Sequence, residues 1–186
     1  LKEGEIIMEG IKAFLKRKNI EISAKRYGID ALGAMAQGLF ASLLIGTIIN
    51  TVGTQFGIGF LTQAVVTVGS GEKAVAYTVG GLASAMSGPA MACAIGYALQ
   101  APPLVLFSLI TVGFASNALG GAGGPLAVLF VAILAAEAGK AVSKETKIDI
   151  LVTPLVTIFV GVALSAWWAP AIGKAASSIG GIIMWA

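Results

Sequence analysis

The chain has no histidine, a single cysteine (Cys93), and charge on only 11% of its 186 residues. Without histidine there is no Ser-His-Asp triad, no phosphohistidine on this chain and no zinc site of mixed Cys and His type. One thiol cannot close an intramolecular disulfide, so cysteine usage leaves the redox compartment open. Charge is absent from whole tracts: residues 31–71 and 74–136 contain no Asp, Glu, Lys or Arg. An ordinary soluble domain is roughly 25% charged. Disorder, collagen, a coiled coil and a nucleic-acid-binding domain are excluded too, because each needs polarity, a strict repeat or a basic surface. What is present is apolar, with 57% hydrophobic residues, 25 glycines and a mean hydropathy of +0.92. This composition describes an all-α polytopic membrane protein and excludes a soluble enzyme.

The charge that exists is concentrated at the start, where residues 1–30 hold five acids and seven bases. Between Glu5 and Arg26 the residues Ile7, Ile11, Phe14 and Leu15 recur at helical spacing beside Lys12, Lys16, Arg17 and Lys18. That spacing predicts a basic amphipathic helix on an anionic membrane surface, with a solvated charged lead-in as the alternative. No short apolar core is followed by a small-residue cleavage site, so this is not a secretory signal. The chain therefore divides into an interfacial segment, 1–28, and a transmembrane domain, 29–186. Asp30 is placed to cap a first span at 31–52.

About five spans are expected: 31–52, 74–99, 101–118, 125–142 and 148–168, the last ending at an interfacial Trp167-Trp168 anchor. Between the first two, Ile58 to Val68 is too short to cross, which predicts a re-entrant or short protein-buried segment at 57–69. Ser87-Gly88-Pro89 near the middle of 74–99 predicts a kink or break there. Gly120 to Pro125 reads as a flexible glycine turn, and the end of the chain, from Ile179, as an apolar stretch too short to cross. The basic groups Lys12 to Arg26 and Lys140, Lys144, Lys147 should share the cytoplasmic side, which requires an even number of crossings between them. Four spans satisfy this if 57–69 does not cross. The four Thr-Val-Gly triplets at Thr51, Thr67, Thr78 and Thr111 are irregularly spaced and read as composition, and none continues as a potassium-filter motif.

Glu137 is the only ionisable residue well inside an apolar span, with Lys140 one turn on. Either its carboxylate accepts hydrogen bonds from substrate hydroxyls, or the two form an ion pair snorkelling to the headgroups. Neutral polar residues near backbone breaks complete the candidate substrate site: Gln55 and Gln63 beside the first break, Ser87 at the second, and Asn117 before the glycine turn. Asn50 is a further neutral candidate. Amides and hydroxyls suit a polyhydroxylated solute. Small residues every fourth position from Ala76 through Gly80, Ser84, Gly88 and Ala92 to Gly96 indicate close helix packing, and Cys93 reads as a small buried hydrophobe. No metal or cofactor is expected.

Four stretches carry a family resemblance: FLKRKNIEISAKRYGIDALGAMAQGLFASLLIGTI, GGLASAMSGPAMACAIGYAL, NALGGAGGP and GKAVSKETKIDILVTPL. In these the chain resembles the membrane-embedded IIC subunits of the bacterial phosphotransferase system, particularly the branch that includes the perfringolysin O regulator. The resemblance implies a permease for a sugar or sugar alcohol, whose solute is phosphorylated by a cytoplasmic IIB partner supplied by IIA. No phosphorylated residue would lie on this chain. It also implies a homodimer in a bacterial plasma membrane with its N-terminus in the cytoplasm. Family members are about twice as long, so the chain resembles an N-terminal half. The alternative function is a membrane-embedded regulator that keeps the IIC-like fold without coupled transport.

Overall fold

A computed structural model describes the backbone of residues 2–185 and the side chains of residues 4–179. Helix α1, Lys2–Arg17, precedes the apolar helices and touches the bundle at its C-terminal end, through Arg17 and Glu145. It ends earlier than the sequence pattern suggests, because Asn19 takes a left-handed conformation (φ 54). The Asn19 amide then bonds the Lys16 carbonyl and the Ile20 amide bonds that of Leu15, a paired closure that satisfies the last carbonyls of a helix.

Helix α2, Arg26–Gln55, is the first long apolar helix. Asp30 does not cap it; its backbone is already helical and its side chain makes no capping bond. The cap is Ser23, whose Oγ accepts from the Arg26 amide at 3.2 Å. Two stretches of α2, Arg26–Asp30 and Phe40–Leu44, widen into π-helical turns.

Beyond α2, the 57–69 region does not take the short protein-buried form, one of its two expectations, the other being a re-entrant segment. One exposed helical turn, α3 (Gly59–Thr62), is followed by strand β1 (Val66–Val68), paired antiparallel with β2 (Val75–Tyr77), with Val66 opposite Tyr77. The expected helix at 74–99 therefore starts only at Val79. The β-branched run Val65-Val66-Thr67-Val68 and the left-handed Gly69 (φ 94) and Gly71 (φ 59) favour a hairpin here over a helix. Leu61 and Thr62 fold back against Gly53, so the chain returns at the end of the bundle where it left.

Helices α4 (Val79–Ala85) and α5 (Ser87–Ala98) form one path bent by 50° at Met86. Pro89 causes the break: it lacks an amide proton for the Ala85 carbonyl and its ring crowds that turn. Helices α6 (Pro103–Gly120) and α7 (Gly124–Val142) are joined by a tight turn in which Gly121 has φ 49. Together they make a 40-residue apolar stretch, folded back so that Val105 meets Gly139. Helix α8, Asp149–Trp185, does not stop at Trp168 but continues through Pro170.

By length and composition three stretches can cross a membrane, Arg26–Gln55, Pro103–Val142 and Asp149–Ile179, or four with the bent pair. Because Pro103–Val142 doubles back, it supplies two antiparallel passes of 18 and 19 residues, each about 27 Å long against a ~30 Å hydrocarbon core. The expected all-α membrane bundle is thus present, with the hairpin as a small appendage. Its core is Met91, Ile95, Leu99, Val105, Leu109, Val112, Val128 and Val131, all fully buried.

Glycine contacts set the helix order. Gly38 lies against Ala90 and Met91, and Gly46 against Gly80 and Ser84, so α2 runs antiparallel to the bent pair. Gly88 and Gly113 face each other so closely that a Cβ on either would fall on the other's carbonyl oxygen. The small-residue ridge is therefore shared between two partners, its Gly80 end meeting α2 and its Gly88 to Gly96 end meeting α6.

Candidate functional site

Polar side chains gather at three levels. At one end, the α1–α2 linker, the α5–α6 turn and the end of α7 converge on Lys140, which is only 1% exposed. Its ammonium donates to the carbonyls of Asn19 (2.7 Å) and Leu99 (3.0 Å) and lies 3.0 Å from Glu137 Oε2. That last contact is an ion pair outside hydrogen-bond alignment, since Oε2 is buried without a hydrogen-bond donor. Tyr27 donates its hydroxyl proton to Glu137 Oε1 at 3.1 Å. Arg26 adds a second cation, donating to the Leu99 carbonyl (2.8 Å) and to Asn19 Oδ1 (3.2 Å).

Both carbonyls belong to helix ends closed by left-handed residues, Asn19 and Gln100 (φ 55), whose side chains bond each other. The cations thus complement the exposed carbonyls of two helix C-termini. Of the two sequence readings of Glu137, its ion pair with Lys140 is present, with both side chains turned into the protein.

The same end ties α1 to the α7–α8 loop. Glu145 pairs with Arg17 at 3.0 Å and with Lys18, and Lys18 also bonds the Ser143 carbonyl. The hydrogen bond from Lys18 holds the Glu145 carboxyl below its ordinary value, and the Arg17 charge adds to this. The two basic groups expected on one side of the membrane therefore meet at one end of the bundle.

The second level is the break in the bent pair. Asn117 donates to Ser87 Oγ at 3.4 Å, and its side chain lies against Gly88 and Gly124. Other intramembrane hydroxyls, Ser108, Ser116, Thr157 and Ser165, donate to the carbonyl one turn back in their own helix. Ser87 and Asn117 instead face each other between helices, beside an interrupted backbone. Nearby, Asn50 Oδ1 accepts from Thr78 Oγ1 at 2.9 Å, and Thr78 caps α4 by accepting from the Gly81 amide.

The third level is the far end, where Gln55 and Gln63 are exposed beside the β-hairpin. The five candidate residues are consequently not one cluster. Ser87 and Asn117 are together; Glu137 lies along α7 from Gly124 by roughly 20 Å of helix rise; the two glutamines lie at the hairpin end. Sequence reasoning missed Tyr27, Asn19 and Gln100 as partners of the buried charges. A signal existed in the level of Arg26 and Tyr27 just before the charge-free tract, the depth at which Glu137 also leaves one. Among the described residues no three Cys, Asp and Glu side chains converge as a metal site.

No curated protein and no solved structure matches the chain. Residues 29–186, from early α2 to the end of the chain, match the family model described as Phosphotransferase system, EIIC, and the chain belongs to that family.

Proposed function

We propose that this chain is the permease component of a bacterial sugar phosphotransferase system. It binds a sugar or sugar alcohol among its helices, carries it across the plasma membrane and exposes it to a cytoplasmic IIB partner. The family match over residues 29–186 carries this reading, and the membrane-length helices agree with it. The basic end faces the cytoplasm by the excess of Lys and Arg there. Substrate hydroxyls bond the neutral pair Ser87 and Asn117, which sits at a break between apolar helices where polar groups are not consumed by their own helix. Gln55 and Gln63 line the approach from the hairpin end. Glu137 acts on substrate only if Tyr27 releases it, since both its oxygens face protein groups. Cys93 bonds toward the Leu106 carbonyl inside the bundle, in keeping with a phosphoryl group that comes from a partner.

A thermal-shift screen of the purified chain against hexoses, hexitols and pentoses tests this, because a ligand specific to the folded state raises its stability. One sugar class should raise the melting temperature, and Asn117→Ala should weaken its binding about tenfold, the worth of one or two hydrogen bonds. No shift with any sugar in folded protein overturns the permease reading in favour of a membrane-embedded regulator.

A further inference from the structure

Where the C-terminal end of α1 meets the α5–α6 turn and the α7–α8 loop, a cleft of about 430 Å³ opens, lined by Arg17, Lys18, Gln100, Lys140, Lys144 and Glu145 among others. Four of these residues are cations and one is a carboxylate, so the cleft has a net positive field. Lys140 and Lys18 are turned to carbonyls and to Glu137 and Glu145, and they supply field more than free donors. Arg17 is different: its side chain is 64% exposed and one guanidinium nitrogen engages Glu145. Lys144 is exposed, held in a left-handed conformation (φ 61), and has no ion-pair partner among the described residues. The Gln100 oxygen accepts from Asn19, which leaves its amide nitrogen as a further donor.

The location says which anion belongs there. On α1, Ile7, Met8 and Ile11 are all more than half exposed and lie within about 100° of one another around the helix, an apolar face suited to a bilayer surface. With that face in the acyl boundary, the cleft opens at headgroup depth. The family-matched residues begin at 29, so Arg17, Lys18 and Asn19 line the cleft from a segment that the family match does not cover.

We propose that this cleft binds the phosphate of an anionic lipid headgroup, with Arg17 and Lys144 as its donors, and so fastens α1 and the bundle to the membrane surface. The proposal does not depend on which solute is carried. The test uses the full chain in detergent with added short-chain phosphatidylglycerol, phosphatidylcholine or inorganic phosphate, read by thermal unfolding and by native mass spectrometry of retained lipid. Phosphatidylglycerol should stabilise and be retained in preference to phosphatidylcholine, and Arg17→Ala with Lys144→Ala should lower its affinity about tenfold. Equal phosphatidylglycerol binding by the double variant overturns the proposal, as does the absence of any preference. Inorganic phosphate acting as strongly as the lipid overturns the lipid source and leaves a soluble phosphate site. Should the double variant fail to fold, Lys144→Ala alone carries the same readings, because that side chain is exposed and has no ion-pair partner among the described residues.

Discussion

Lys140 shows how a residue at the edge of an apolar helix can become a structural anchor. Its ammonium is buried with Glu137, Asn19 and Leu99 around it. Removing one member of a buried pair leaves an uncompensated charge, which typically costs about 3 kcal/mol, whereas removing both costs far less. Glu137→Gln and Lys140→Met should therefore each lower stability strongly in a detergent unfolding series, and the double variant should be more stable than the sum of the two losses. Additive losses would show that the charges act independently. Glu137 was visible in the sequence as a lone acid in a charge-free run. Its partner Tyr27, 110 residues away, was not, because nothing local ties them.

Single helices show a similar division. The break at Met86 was legible because Pro89 falls in the middle of an apolar run long enough for one span, where it removes a hydrogen bond and crowds the preceding turn. Which neighbour each glycine meets was not. Gly113 lies against the Gly88 carbonyl and the Ala92 side chain, whereas Gly33 has open space around its Cβ position. Gly113→Ala should cost about 2 kcal/mol by overpacking. Gly33→Ala should be neutral or slightly stabilising, since alanine favours a helix by up to about 1 kcal/mol. Comparing the two melting temperatures checks this, and equal effects would refute the close crossing.

For α1, the tether is electrostatic. The folded-state value of Glu145 is lowered, so its contribution is present above the ordinary carboxylate range and is lost as pH falls through the lowered value. Protease cleavage in the 18–23 linker should accordingly increase on acidification, and Glu145→Gln should show the acid behaviour already at neutral pH. A cleavage rate that ignores both changes would exclude the tether.

At the scale of the whole molecule, the packing places residue 72 at the hairpin end and Lys147 at the basic end. On a Cys93→Ala background, Glu72→Cys and Lys147→Cys should react with membrane-impermeant reagents from opposite sides. Labelling from the same side would overturn the topology.

Composition and hydropathy alone determined that this is a helical membrane protein, because charge-free tracts of this length have no other stable solvent. They also set where most helices run and where proline breaks one. The hairpin at 66–77 escaped because a short apolar run has no length signal to separate strand from helix. Only tertiary structure decided that Arg26, Tyr27, Glu137 and Lys140 share one network and that Ser87 faces Asn117 while the glutamines lie far off. Local propensity acts within a few turns of chain, whereas these groups are joined by helices that pack because glycines distant in sequence let their backbones touch.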